Sequence, residues 1–247
     1  MLNLSVSSHP CLPGKNTSTA GARPQVCETC RAPGGALGEL LEPHIVGANK
    51  YKYLCPLCHH CLHLDAAGRR KAGTIIWLPE LSQEELNLLC LATFVALRKA
   101  GMYQKHAPTQ AMCKQSVRLY KTFLKRAEAV EMFLGAGESH ASLPRQSLST
   151  PTYVASLIAR AQRDAKLDAK TLAKRVEGLR LLPDPAAFED YIAQASRVVT
   201  VKSPVNMWMD IVGAYLEAAD AARLVRTDAD EHFDATPAKE TFLSHDS

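Results

Sequence analysis

The sequence predicts an α+β protein that is mainly helical, in which a small metal-held module packs against a helical body. Three observations support this fold class. Apolar residues make up 47% of the 247 residues and aromatic residues only 6%, a composition typical of a helical protein with a real core. Two C-x-x-C pairs lie close together in the first quarter of the chain. Beyond residue 80, apolar residues recur at three- and four-residue spacing.

Charge and hydropathy exclude several protein classes. The chain has 29 Lys and Arg against 25 Asp and Glu, a net charge of +4, which is low for a dedicated nucleic-acid-binding protein. No apolar run reaches the roughly 18–20 residues of a membrane-spanning helix. The N-terminus has no apolar segment typical of a signal peptide. We therefore expect a cytoplasmic protein whose eight cysteines are reduced and available to bind metal.

Composition divides the chain into four predicted segments. Residues 1–22 are rich in Ser, Thr, Pro, Gly and Asn, which predicts a disordered N-terminal tail. Residues 23–80 contain the Cys- and His-rich metal module. Residues 81–226 form the predicted helical body. Residues 227–247 are dominated by acidic side chains and are predicted to be a flexible tail.

The first two helices of the body are predicted from capping residues and apolar spacing. Ser82 and Glu85 form a capping box, and Gly101 is placed to end the helix that the box begins. A second helix is predicted over about 109–134. Its apolar stripe consists of Val117, Tyr120, Leu124 and Ala127.

One strand and four further helices complete the prediction. The β-branched and aromatic run of residues 73–78 predicts a strand, which Pro79 ends. A helix begins at Pro151, with Val154 and Ile158 facing inward. The remaining helices are predicted over about 168–180, 184–199 and 204–225.

The two C-x-x-C pairs predict a structural zinc site. Two residues between cysteines allow both thiolates to bind one ion from a tight turn, and two such turns complete a tetrahedral S₄ site. The predicted ligands of this single Zn²⁺ are Cys27, Cys30, Cys55 and Cys58. Buried cysteines without a metal are the alternative. A redox C-x-x-C is disfavoured because neither pair is predicted between a strand and a helix.

Other potential ligands surround the second pair: His59, His60, Cys61 and His63. Any of them could replace a proposed ligand. Cys55 and Cys58 are favoured because they lie on one turn, as the first pair does, and the histidines are interpreted as supporting or exposed residues. No role is predicted for Cys11, Cys90 or Cys113.

The segment from Leu41 to His59 resembles the ββα-metal motif of HNH nucleases. That family has a His on the first strand, an Asn in the loop and a His just after the second C-x-x-C. The resemblance implies that His44 is the general base, that Asn49 positions the loop and that His59 binds a catalytic divalent ion. Pro43 replaces a metal-binding side chain of the family pattern, which implies an HNH-like scaffold without activity.

A second stretch, from Gly73 to Cys90, resembles the IcmJ/DotN family of type IVB secretion systems and related conjugative systems. The preceding order of cysteine pairs agrees with this family. So do the motif of residues 179–183 and the aromatic and charged run of residues 188–191. The resemblance covers about residues 25–200.

This second resemblance implies a non-enzymatic adaptor subunit that binds zinc on an HNH-like module. It implies attachment to the C-terminal region of the type IV coupling ATPase, and so a peripheral place at the inner membrane. Other adaptor subunits and a protein or relaxase–DNA cargo are the further implied partners. An HNH-type endonuclease and a DNA-binding zinc protein of a mobile element are the alternatives.

A basic face is predicted on the second helix, because no acidic residue occurs between Glu85 and Glu128. Four cations at helical spacing share this face: Lys114, Arg118, Lys121 and Lys125. The face is either ordinarily solvated or a dock for an acidic segment or nucleic acid. The acidic tail of the same chain is another segment that could cover it.

Overall fold

The computed structural model describes residues 4–6, 24–35, 38–47, 50–102, 107–135, 148–163, 174 and 176–198. Over these residues the fold is α+β and mainly helical, as predicted, with two small antiparallel sheets. Several predictions lie outside the described residues: Asn49, Cys11, the acidic tail, the helix over 204–225 and most of the helix over 168–180. The four predicted segment boundaries stay predictions.

The metal module begins with a β-hairpin followed directly by a helix. Strand β1, Glu42–Gly47, pairs antiparallel with β2, Lys50–Leu54. Helix α1, Pro56–Leu62, starts one residue after β2, and its proline occupies the first turn, where a missing N–H is tolerated. The module therefore has a ββα order of elements.

The second helix of the module connects it to the rest of the protein. Helix α2, Leu64–Arg69, packs against α6, Pro151–Arg163. Gly68 lies so close to Thr152 that a Cβ atom at this glycine would stand 2.0 Å from the threonine Oγ1. Only a residue without a side chain allows this approach of the two helices.

A short N-terminal segment also contacts the module. Ser5 N–H donates to the Cys61 carbonyl at 3.1 Å, and Leu64 N–H donates to the Ser5 carbonyl at 3.3 Å. Leu4 is buried. Residues 4–6 thus differ from the expected disordered tail, because backbone hydrogen bonds and one apolar side chain hold them beside the end of α1.

The predicted strand is confirmed as β3, Gly73–Trp77, and it pairs antiparallel with β4, Leu179–Pro183. The prediction of a helix that continues to Arg180 is therefore wrong at its C-terminal end, because Leu179 and Arg180 belong to β4. Leu181 and Leu182 are each only 1% exposed. A strand that is buried on both faces shows no alternation of polar and apolar residues, so its sequence carries no periodic signal.

The capping box is confirmed at the start of α3, Gln83–Met102. Ser82 N–H donates to Glu85 Oε2 at 2.7 Å, and Glu85 N–H donates to Ser82 Oγ at 3.2 Å. Helix α3 packs against α1, β4, the next helix, α4 (Ala107–Lys125), and the last described helix. It therefore lies at the centre of the core and contributes many of its fully buried side chains.

The second helix was predicted to be continuous but is broken at Arg126 into α4, Ala107–Lys125, and α5, Ala127–Gly135. Arg126 N–H donates to the Phe123 carbonyl, three residues back, and its own carbonyl accepts from Trp77 N–H at 3.3 Å. Its guanidinium donates to both carboxylate oxygens of Glu80 at 2.7 and 2.8 Å. The break allows the Arg126 carbonyl to accept a hydrogen bond from Trp77 of β3.

The predicted apolar stripe of this helix is wrong at two positions. Val117 is 36% exposed and Leu124 is 43% exposed. Phe123 is buried instead, and the Tyr120 hydroxyl donates to the Pro183 carbonyl at 2.8 Å. The helix is rotated relative to the prediction because its inward face must meet both α3 and β3.

The predicted helices that begin at Pro151 and Asp184 are confirmed by the described residues. Val154 and Ile158 are buried on α6 as expected. Asp184 Oδ1 accepts from Ala186 N–H at 2.9 Å and caps a 3₁₀ turn, Pro185–Phe188, from which α7, Glu189–Val198, continues. None of the described helices is both long enough and apolar enough to cross a membrane.

Candidate metal centre

The structure brings the four cysteines of the two C-x-x-C pairs together. Their Sγ atoms all lie within 4.8 Å of one another, and the Sγ atoms of Cys30 and Cys55 are 3.6 Å apart. All four side chains are at most 2% exposed, and none forms a disulfide. This four-cysteine cluster is built from the residues that the spacing selected.

Two different local structures present these sulfurs. The first pair lies on a turn in which Cys27 N–H donates to the Ala32 carbonyl at 2.7 Å and Arg31 N–H donates to the Cys27 carbonyl at 3.0 Å. Arg31 has a left-handed backbone with φ of 64°. The turn is joined to β2 because Glu28 N–H donates to the Tyr53 carbonyl at 3.0 Å. Such a turn points two side chains to one side.

The second pair corrects an expectation, because Cys55 does lie between a strand and a helix, β2 and α1. Its surroundings nevertheless oppose a redox role. A redox cysteine is partly exposed and has a lowered thiol pKa. Cys55 is fully buried, and burial raises the pKa of its thiol well above the ordinary value.

The charges of the cluster call for a cation. Hydrogen bonds from the thiols of Cys30, Cys55 and Cys58 hold the pKa of Cys27 far below its usual range. The pKa of Cys58 is raised, because its hydrogen bonds with Cys27, Cys30 and Cys55 favour its protonated form and burial adds to the effect. Four thiolates in this buried space would repel one another, so a divalent ion is needed to hold all four in the charged form.

Zinc fits the geometry of the four-cysteine cluster. In a tetrahedral site with Zn–S bonds of about 2.3 Å, the sulfurs stand about 3.8 Å apart. The distance of 3.6 Å between Cys30 and Cys55 is close to this value. The four cysteines thus form a cluster that could bind a metal ion, and zinc stays the prediction for the ion.

Sequence reasoning missed a residue that contacts this cluster from α3. Asn87 Nδ2 donates to the Cys58 Sγ at 3.2 Å. Gln83 Nε2 donates to Asn87 Oδ1 at 3.0 Å and to the Leu181 carbonyl at 2.9 Å, while Leu181 N–H donates back to Gln83 Oε1 at 2.8 Å. The available signal was two polar residues, four apart, at the start of an apolar helix.

Cys61 does not join the four-cysteine cluster. Its Sγ donates to the Leu57 carbonyl, one turn earlier in α1, at 3.2 Å. Burial raises the pKa of its thiol to about 12. Its Sγ lies outside the group of four sulfurs that could share one ion, so the geometry does not favour it as a replacement for one of the four cysteines.

The histidines form a second cluster, which consists of His44, His59 and His63. One ligand nitrogen from each lies within 4.8 Å of the others, and His44 Nδ1 is 3.1 Å from His63 Nε2. His59 Nδ1 lies 2.8 Å from the Glu42 carboxylate. His59 and His63 are buried. The interpretation of these two histidines as exposed residues is therefore wrong.

Electrostatics favour a neutral ring at His63 in this three-histidine cluster. Burial and the neighbouring histidines lower the pKa of His63 to about 4. Burial opposes ionisation of Glu42, but the hydrogen bond with His59 prevails and lowers the pKa of this carboxyl. A neutral imidazole keeps a lone pair that a metal can accept.

His60 lies apart from the cluster although it follows His59 directly. Its Nδ1 lies 2.9 Å from the Pro56 carbonyl. Its ring contacts Phe188 edge to face, with centroids 5.2 Å apart. His60 therefore has a packing role between α1 and the 3₁₀ turn.

The HNH resemblance is only partly matched by the described residues. His44 lies on β1 and His59 on α1, as the resemblance implies. Pro43 is buried on β1 beside His44 and offers no ligand atom. An HNH-like module remains a prediction.

All four side chains of the basic face are exposed on α4. With Val117 and Thr122 they line a shallow depression along the helix. Arg126 belongs elsewhere, because it is paired with Glu80. The exposed face thus combines positive charge with two apolar side chains, Val117 and Leu124.

Comparison with known proteins gives one relevant similarity. The chain is 27% identical over 141 residues to the type 4 apparatus protein DotN of Legionella pneumophila. The match covers 56% of this chain and 55% of that protein, so the chain spans about half the length of its curated relative. No family model matches the chain. The similarity supports a relationship to a type IV secretion component.

Proposed function

We propose that this protein is a non-enzymatic, zinc-binding adaptor subunit of a type IV coupling protein complex. In this role it stabilises the coupling ATPase and helps to recruit secretion or conjugation substrates. The observation that carries the proposal is the similarity to the type 4 apparatus protein DotN. The proposed location is the cytoplasmic face of the inner membrane, where the coupling ATPase would hold it.

The four-cysteine cluster supports a structural role for the metal. A catalytic zinc site usually keeps one position for water or substrate, whereas a structural site has four protein ligands. Four sulfurs already fill the tetrahedron, and all are buried. Zinc would therefore hold the turn of Cys27 and Cys30 against the start of α1.

The α4 surface supports a docking role. Helical or extended segments bind by placing apolar side chains on an exposed surface, while charges set register and association rate. Val117 and Leu124 provide apolar contacts beside the four cations. We propose that an acidic, apolar-anchored segment from the C-terminal region of the coupling ATPase binds here.

Binding of the wild-type chain to that C-terminal region tests the adaptor proposal. Lys114, Arg118, Lys121 and Lys125 should be changed to Glu together, because single exposed ion pairs contribute only about 0–1 kcal/mol. We expect the fourfold variant to associate more slowly and with weaker salt dependence, with normal zinc content. A matched control changes the exposed cations Arg160 and Arg163 of α6 to Glu.

Two results would contradict different parts of this proposal, the docking role of the basic face and the adaptor role. If the fourfold variant binds with unchanged rate and salt dependence, the basic face is only a solvated surface. If the wild-type chain binds no coupling-ATPase segment, the adaptor role itself is wrong. Zinc content measured in the same samples separates either result from misfolding.

An HNH-type nuclease is the second candidate, and the ββα order with three clustered histidines favours it. Pro43 argues against it, because the ligand next to the base is missing. We expect plasmid DNA to remain intact with Mg²⁺, Mn²⁺ or Ni²⁺. Metal-dependent cleavage that His44→Ala abolishes would establish the nuclease instead.

A further inference from the structure

A small apolar groove lies between the second half of α3 and the start of α7. Its floor consists of the buried side chains of Phe94 and Ile192, and its rim includes the half-buried Leu97 and the exposed Ala186. The groove has a volume of about 250 Å³, which is less than the ~300–1,000 Å³ of a pocket for a drug-sized ligand. It therefore suits one or two side chains of a partner better than a whole cofactor.

Arg98 and Glu189 line one side of this groove as a loose ion pair. Arg98 Nη1 lies 3.8 Å from Glu189 Oε1, which is too long for a hydrogen bond. Arg98 Nε is buried and has no hydrogen-bond partner among the described residues. A buried donor without an acceptor is unfavourable, so this guanidinium would gain from a better-placed carboxylate.

We propose that this groove binds a helical segment of a partner protein, in which an apolar side chain and a carboxylate are one helical turn apart. The apolar side chain lies on Phe94 and Ile192, and the carboxylate binds Arg98. This second docking site goes beyond the proposed function, which places the coupling-ATPase segment on α4.

The spacing of residues on α3 favours a helical partner. Phe94, Leu97 and Arg98 are three and four residues apart, so they share one face of the helix. The apolar contact and the cation are thus separated by one turn, about 5.4 Å. A partner helix with an apolar and an acidic residue three or four positions apart has the same separation, as expected of an amphipathic helix that lies in a groove.

The weakness of the existing ion pair allows a partner to replace it. The Glu189 side chain is 76% exposed, so its loose pairing with Arg98 contributes little to stability. An incoming carboxylate displaces it once the guanidinium turns, and side-chain rotations of this kind are common on binding. The new pair consists of charge-assisted hydrogen bonds. A neutral amide in place of the carboxylate forms weaker ones, which makes the site selective for an acidic segment.

Selection from a displayed peptide library tests the proposal. The library is a helical scaffold with random residues along one face, and the target is the full-length fourfold variant. Because this variant lacks the basic face, it does not capture acidic peptides on α4. We expect the enriched sequences to carry an apolar residue with Asp or Glu three or four positions away.

A double-mutant cycle with the enriched peptide locates its binding site. Arg98→Gln should weaken binding at least about tenfold, because a hydrogen-bonded charge pair is lost. Changing the acidic residue of the peptide to its amide should weaken binding to the parent protein similarly, but should hardly weaken it further in Arg98→Gln. Arg197→Gln is the matched control, because this exposed arginine of α7 does not line the groove. It should bind the peptide normally.

Substitutions at the rim test the apolar part of the site. Ala186→Gln places a larger neutral side chain at the exposed rim and should weaken binding of the peptide. Ala187→Gln changes an exposed neighbour that does not line the groove and should not weaken it. Circular dichroism and zinc content show that each variant is folded.

Four results would overturn the proposal. In the first, the library yields no binding sequence. In the second, the enriched sequences lack an acidic residue at the expected spacing. In the third, the peptide binds Arg98→Gln as tightly as the parent protein, or the two changes in the cycle are simply additive. In the fourth, Ala187→Gln weakens binding as much as Ala186→Gln does. None of these results affects the coupling-ATPase assay, which is measured on the wild-type chain.

Discussion

Asn87 shows how a single side chain can tune a metal site from a distant element. It donates to the Cys58 sulfur, and Gln83 holds its amide in that orientation. A hydrogen bond to a thiolate stabilises its negative charge and so favours the metal-bound form. The polar pair therefore links the cluster to α3 and, through Leu181, to β4.

We expect Asn87→Leu to weaken zinc binding by roughly 10- to 100-fold, the usual effect of losing a residue that supports a metal ligand. Competition against a chromophoric chelator measures this affinity. Thr93→Val, which removes another buried polar group of α3, is the control and should leave zinc affinity unchanged. Equal affinity in both variants would mean that Asn87 only fills space.

Cys55 and Cys61 should respond differently to the same substitution. Cys55→Ser should lose zinc and unfold the module, because a neutral hydroxyl is a poor replacement for a thiolate ligand. Cys61→Ser should retain zinc, since its Sγ lies outside the four-cysteine cluster, where it donates to the Leu57 carbonyl and accepts from Asn87 Nδ2. Metal analysis of the two purified variants checks this difference, and retention of zinc by Cys55→Ser would disprove the assignment.

The cysteine spacing predicted the residues that the structure brings together, because C-x-x-C is a local pattern whose geometry one turn determines. The contribution of Asn87 could not be predicted in this way. It depends on how α3 packs on α1, and such a contact leaves no pattern in the sequence. The three-histidine cluster is similar, since His44 meets His59 and His63 only after the hairpin folds over α1.

Among the elements, α3 depends on its capping box. Ser82→Ala removes an acceptor for Glu85 N–H and should lower the free energy of unfolding by about 1 kcal/mol. Urea denaturation measures this change. Thr122→Ala removes an exposed hydroxyl from the middle of α4, where it donates to the Arg118 carbonyl, and should have little effect. A Ser82 variant as stable as this control would contradict the role of the box.

The same elements show where sequence patterns are informative. The start of α3 was predicted correctly because capping is local. The break at Arg126 was missed because its causes, Glu80 and Trp77, come from another part of the chain. Strand β4 was missed because both of its faces are buried, and a continuous apolar run does not distinguish strand from helix.

At the scale of the whole molecule, the metal module and the core of the body depend on each other. Helix α1 packs on α3, and α2 packs on α6. Loss of zinc should therefore unfold the module and, through these contacts, also lower the melting temperature of the rest of the chain.

A high-affinity zinc chelator tests this dependence in a thermal denaturation experiment. The wild-type melting temperature should fall, and added zinc should restore it. Cys55→Ser provides the control, because it should already melt at the lower temperature and show no further shift with chelator. An unchanged wild-type melting temperature after verified zinc removal would show that the ion does not stabilise the fold.

The pairing of β3 with β4 has a consequence for biosynthesis. Cys30 and Cys55 are 25 residues apart, whereas the bond between Gln83 and Leu181 joins residues 98 apart. On the ribosome, the sulfur cluster can close long before β4 has been synthesised, because short loops close at lower entropic cost. Until then the nascent chain displays the unpaired edge of β3, with Ile75 and Ile76, to other polypeptides. The second half of translation is thus the period when a chaperone would protect this protein from aggregation.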